Sequence, residues 1–228
     1  MADRGGALAE TRLVALKDLR VESRSKVVLN QVVPFALLVL VMFGFALDAD
    51  TSTLRAFTAG LFWVTVLLAA LLAIQRSFGL ETEDSALEGL RLSGMAPAAI
   101  FAGKGLAMLL QLLLLEVVLG FGVVIFYGAE IEDFALMVAT GVVAAIGVAA
   151  AGTLYGVLAA SLKVRETILP ILLLPVLAPV LIGATRAFDD AFGAAAVNGW
   201  SWLAMLALFA LVYVVFGALA FGALLEES

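Results

Sequence analysis

Few residues of this sequence could do chemistry. Glu116 is the only acidic or basic residue near the middle of any long apolar run. A charge at hydrocarbon depth costs about 2.5–3.5 kcal/mol on insertion scales, so such an acid must face protein or water. Two readings stand for it: a structural hydrogen bond, with Gln111 or Tyr155 as candidate partners, or a functional acid. The other concentration of polar groups is ETEDSALEGLRLSG, residues 81–94, with Glu81, Glu83, Asp84 and Glu88 between two apolar runs. The chain has no histidine and no cysteine, which excludes disulfides, zinc sites of the usual ligands, His general-base chemistry and a Cys nucleophile. No metal site is expected. Six Met and three Tyr are the weaker ligands that remain. Walker A spacing is absent, since Gly103-Lys104-Gly105 lacks the preceding glycine and strand, so the chain binds no ATP by that route. HExxH, GxSxG and GxGxxG are absent too. No enzyme is read here, and no catalytic residue is assigned.

The elements that position these residues must be membrane spans. Of 228 residues, 64% are hydrophobic and 14% charged, against about 45–50% and about 25% in soluble domains. Such a chain cannot cover its surface with polar groups and needs lipid as solvent. Its net charge of −6 speaks against nucleic acid, because phosphate binding needs a basic patch. Residues 1–26 are polar and of mixed charge. The apolar run that follows is of full span length, so it reads as a permanent span rather than a signal peptide.

Six runs approach the roughly 20 residues needed to cross the hydrocarbon core. They cover about 27–47, 57–74, 105–127, 134–162, 167–187 and 200–225. Eleven of the 13 Lys and Arg fall on one side, in the N-terminal segment and the loops 75–104 and 163–166. Among them are Arg76, Lys104 and Lys163, and only Arg55 and Arg186 fall opposite. The positive-inside rule then predicts both termini in the cytoplasm. Trp200 and Trp202 open the sixth run, where interfacial aromatics are expected. The expected fold is an all-α integral membrane protein with six transmembrane helices. Residues 1–26 form an N-terminal cytoplasmic or interfacial segment, and 27–228 the membrane domain.

Within the fourth run, Gly141 and Ala145, Gly147 and Ala151, and Gly152 and Gly156 are four apart, a spacing that packs helices closely. A substrate path along that face is the alternative. The fifth run holds Pro170, Pro175 and Pro179. Pro170 falls in its first turn, and the other two predict a kinked or broken helix, either static or a hinge. In the N-terminal segment Leu8, Leu13, Leu16 and Leu19 fall on one broad side of a helix, with Arg12 intruding, which suits an interfacial helix. Ser85-Ala86-Leu87-Glu88 fits a capping box, Arg91 a cation near the helix end, and Gly94 the C′ position before Pro97. These predict a helix over 86–93. A helix that short needs a surface to pack on, and Leu87 and Leu90 share a face. It either folds back on its own membrane domain or docks into a groove on a partner.

The stretch LLAIQRSFGLETEDSALEGLRLSGMAPAAIFAGK, residues 71–104, resembles the signature loop of the CcmB family. The matching positions are Arg76, Phe78, Glu83, Asp84, Leu87, Glu88, Leu90, Pro97 and Lys104. SLKVRETILPILLLPVLAPVLIGA, residues 161–184, is similar to a second family segment through Leu162, Lys163, Pro175 and Pro179. LVALKDLRVESRSK resembles the family's N-terminus. Gln75, Ser85-Ala86 and Gly89 depart from the family loop, and a Gly-Gly after Lys163 is missing. The resemblance implies the membrane permease subunit of an ABC transporter in cytochrome c maturation, a haem exporter of the bacterial inner membrane. It implies a CcmA-type ATPase docking on Glu83, Asp84, Ser85, Leu87, Glu88, Leu90 and Arg91. It also implies CcmC- and CcmD-type membrane subunits and a CcmE-type haem chaperone, released in loaded form on ATP hydrolysis. ATP is then a cofactor of the partner, with haem handled by the complex. Glu116, Tyr155, Pro170, Pro175 and Pro179 are the intramembrane candidates. Two alternatives stay open: an ABC permease for a lipid or drug, and a stand-alone secondary transporter driven through Glu116.

Overall fold

The computed structural model describes residues 4–47, 51–83, 89, 92–160 and 165–227. Among these, seven long α-helices and one π-helical turn account for nearly all of the chain, and no strand occurs. Helix α1 is Arg4–Ser25. The π-turn Val28–Val32 leads into α2, Val33–Ala46. Then follow α3, Thr51–Glu83, α4, Pro97–Tyr127, α5, Phe134–Ala160, α6, Arg165–Ala191, and α7, Gly199–Glu227. Six helices are long and apolar enough to span a membrane: Val28–Ala46, Ser52–Gly79, Pro97–Tyr127, Phe134–Ala159, Thr167–Ala191 and Gly199–Leu225. The protein is an all-α, multi-pass integral membrane protein.

Several helices outrun their apolar stretches. The run expected at 57–74 lies inside the 33-residue α3, so Gln75, Arg76 and Phe78 are helical rather than loop. A helix needs a stop signal to end, and the next residues supply none. Pro97 starts α4 at the first helical position, where its missing N–H costs nothing. Lys104 therefore sits two turns inside a helix and is 4% exposed, not in a cytoplasmic loop as expected. Similarly α6 continues to Ala191, and Phe188, expected in a loop, is buried.

α5 is the hub, packed against α3, α4, α6 and α7. Its glycines act as notches for side chains. A Cβ on Gly152 would lie 2.6 Å from Ile74 Cδ1, and one on Gly156 would collide with the Phe78 ring. The spacing of small residues thus seats bulky side chains of α3 as well as bringing helices close. An aromatic cluster joins α3 to α6: Trp63 meets Phe62 at 5.3 Å and Phe188 at 5.0 Å between ring centroids, and Phe188 meets Phe192 at 5.3 Å. Such pairs add about 0.5–1.5 kcal/mol each beyond area burial.

The three prolines leave α6 continuous across Arg165–Ala191, so the broken helix among the expectations is not found. Because α6 begins at Arg165, Pro170 lies in its interior rather than its first turn. Leu169, Leu173 and Leu177 form the buried ridge, while Pro175 and Pro179 sit on the exposed side. Each proline removes the donor to the carbonyl four residues back.

At the end where α4 turns into α5, polar side chains close the connections. Asp133 caps α5, accepting from Leu136 N–H at 2.9 Å, a cap worth about 1 kcal/mol. Asp190 accepts from Gly199 N–H at 2.8 Å, and Arg55 pairs with Glu130 at 2.8 Å.

Candidate functional site

At the opposite end of the bundle, α1, the tail of α3 and the start of α4 meet. α1 lies along α4 with Val14 and Ala15 buried, and Gly103 opens the space for it: a Cβ there would stand 2.6 Å from Val14 Cβ. Glu10 accepts a hydrogen bond from Ala96 N–H at 3.0 Å, just before α4 begins. Of the four leucines expected on one side, Leu8, Leu13 and Leu16 are exposed and Leu19 is half-buried. α1 stops where Lys26 takes a left-handed φ of 53°. Glu22 holds this elbow by accepting from Val28 N–H at 2.6 Å. Burial raises the Glu22 carboxyl above its ordinary range, and the Val28 N–H pulls partly the other way.

Lys104 is the buried charge of this corner. Its Nζ lies 3.5 Å from Asp18 Oδ2 and 5.5 Å from the centre of the Phe78 ring. Asp18 also accepts from Lys17 at 2.7 Å. Gln111, Thr153 and Ser77 line a recess of about 10 Å³ beside the pair, roughly the room one water needs. The corner therefore ties α1, α3 and α4 through a desolvated ion pair and a cation–π contact. Asp18 was missed in the sequence because nothing in its neighbourhood separates it from a solvated acid.

Of the docking residues, Glu83 closes α3. Asp84, Ser85, Leu87, Glu88, Leu90 and Arg91 lie outside the described residues, as does Lys163. Gly89 and Leu92 are helical, and Gly94 takes φ 72°, the left-handed geometry of a C′ glycine. Arg76 is exposed.

The membrane interior brings a different set together. Glu116 is 9% exposed, and its Oε1 has no hydrogen-bond partner among the described residues. Neither of its expected partners serves it: Tyr155 shares a hydrogen bond with Tyr213, and Gln111 lines the Lys104 recess. Gly141 of α5 faces the carboxyl, so that a Cβ there would lie 2.9 Å from Oε2. A cavity of about 350 Å³ opens beside Glu116 between α4 and α5.

Six apolar spans, a buried charge corner and an acid inside the spans define a polytopic helical membrane protein. The chain belongs to the CcmB protein family, whose profile matches residues 10–228. It is 27% identical to heme exporter protein B of Pseudomonas aeruginosa over 217 residues, 91% of this chain and 94% of that protein. It is 26% identical to heme exporter protein B of Paracoccus denitrificans over 215 residues, 92% of this chain and 96% of that one. With heme exporter protein B of Escherichia coli K12 it shares 29% over 191 residues, 80% and 83% of the two chains.

Proposed function

We infer that this chain is the membrane permease subunit of a haem-exporter ABC complex, non-catalytic itself, moved by ATP hydrolysis in a CcmA-type partner. The single observation that carries this is family membership over residues 10–228, with heme exporter B relatives matched along most of both chains. The complex acts in cytochrome c maturation. In it the ATPase docks on Glu83, Asp84, Ser85, Leu87, Glu88, Leu90 and Arg91, with Leu87 and Leu90 as apolar anchors. CcmC- and CcmD-type subunits lie alongside it in the membrane, and the haem-loaded CcmE-type chaperone is released at the ATP-driven step. Haem passes through the complex without a histidine or cysteine ligand from this chain.

The corner at Lys104 suits the transmitting role. A push on the segment between α3 and α4 reaches Phe78 and Lys104 directly, and through Asp18 it reaches α1. Both termini then lie in the cytoplasm and the chain sits in the bacterial inner membrane, which the bias of basic residues supports. Affinity purification from native membranes, with the bound proteins identified by mass spectrometry, tests this. An ATPase and cytochrome c maturation proteins are the expected companions, and recovery of a lipid or drug exporter's partners would replace the cargo. Glu116, whose Oε1 has no partner among the described residues, favours one competing reading, a secondary transporter. That reading requires the purified chain alone to move protons in vesicles, and Glu116→Gln to abolish the movement.

A further inference from the structure

We propose that the cavity between α4 and α5 is a binding site for a lipid-soluble amphiphile with an apolar chain and one hydrogen-bond-donor head, either ammonium or hydroxyl. The cavity holds about 350 Å³, within the roughly 300–1,000 Å³ of small-molecule sites. Its back wall is aromatic, formed by Phe62 of α3, Phe188 of α6 and Phe192 in the turn just after α6, and its mouth is framed by Phe121 and Phe134. These two are 66% and 65% exposed, so the mouth opens on the outer face of the bundle. Among the described residues Glu116 is the only polar side chain in the lining, and its Oε1 is unpaired.

Each feature narrows the ligand. An unsatisfied carboxyl in hydrocarbon is costly, and a donor from the ligand offsets that cost. Glu116 lies 11 residues before the end of α4 at Tyr127, about 16 Å along the helix at 1.5 Å per residue. A phospholipid headgroup at the interface does not reach it, whereas the head of a single-chain amphiphile that enters the recess does. A carboxylate-bearing amphiphile finds no Lys or Arg among the described lining residues and meets a like charge when Glu116 is ionised. A tetrapyrrole with two propionates is excluded on the same ground, so this cavity is not where haem would sit. A partner helix, about 10 Å across, cannot enter a recess that runs behind α4 to Phe62 and Phe188. Gly141 completes the site, because any larger residue would push the carboxyl aside.

The test uses the full chain in lipid nanodiscs with two photoreactive probes of equal length, a diazirine alkylamine and a diazirine alkane. Cross-links are mapped by peptide mass spectrometry. The amine is expected to label the cavity lining saturably. Excess dodecylamine or dodecanol should reduce that labelling at least about fivefold, and dodecanoate should leave it. Glu116→Leu should weaken labelling by the amine about tenfold, as loss of a hydrogen bond to a charged group predicts, and leave the alkane unchanged, which shows the groove intact. Equal competition by dodecanoate would overturn the proposal. So would amine labelling that survives Glu116→Leu, absence of saturable labelling in wild type, or its disappearance in native membranes that contain the partner subunits.

Discussion

Glu116 is buried and Glu22 half-buried, and the two acids differ in what compensates them. Among the described residues no group answers Glu116 Oε1, whereas Glu22 is answered by the Val28 N–H. The Glu22 carboxyl titrates above its ordinary 4.5, because burial outweighs the Val28 hydrogen bond. The folded state thus binds its proton more tightly than the unfolded chain does. Stability from this group is greatest below pH 4.5 and declines as pH rises through the raised value. Glu22→Gln, which can still accept from Val28, should remove that pH dependence. Thermal unfolding of wild type and variant in detergent between pH 4 and 7 checks it. Lys104 and Asp18 give a second expectation. Breaking a buried pair leaves an uncompensated charge, so Asp18→Asn should cost about 3 kcal/mol, while Lys104→Met with Asp18→Leu should recover most of it. Tryptophan fluorescence on heating reads both. Glu116 was legible in the sequence as the lone mid-span acid. Its solitude was not, because no spacing rule says that Gln111 and Tyr155 point elsewhere.

At the scale of elements, hydrophobicity placed the spans but not their ends. Apolar length reports the hydrocarbon thickness, whereas a helix continues until a cap or a proline stops it. That is why Arg76 and Phe78 extended α3, Phe188 joined α6, and Lys104 moved from loop to core. Gly94 was legible because a C′ glycine has a local signature. The glycines of α5 were legible as packing positions, but the side chains they receive come from distant segments that no local pattern reveals. Gly156 is the sharpest case, since a Cβ there meets the Phe78 ring. Gly156→Ala should overpack this contact and destabilise the protein by about 1–3 kcal/mol. Combining it with Phe78→Leu should relieve much of the loss, as neighbours that share a contact are not additive. Unfolding midpoints of the two singles and the double check this.

For the whole molecule, the apolar composition made the class readable in the sequence. Close packing of α1 on α4 was not readable, because Val14, Ala15 and Gly103 look unremarkable one at a time. Absence of cysteine makes orientation directly measurable. In intact cells Ala194→Cys should react with a membrane-impermeant maleimide, while Gly89→Cys should react only after the membrane is opened. The reverse pattern would invert the topology. The proposed coupling to ATP hydrolysis then depends on the segment between α3 and α4 being the seat of an ATPase. The most direct measurement is recovery of the CcmA-type ATPase on the affinity-tagged chain from native membranes, with Leu87→Asp and Leu90→Asp beside wild type and the amount of inserted chain matched. The account predicts ATPase bound to wild type and at least about tenfold less on either variant, as loss of a buried anchor would give. Equal recovery on all three, or none on wild type, would contradict it.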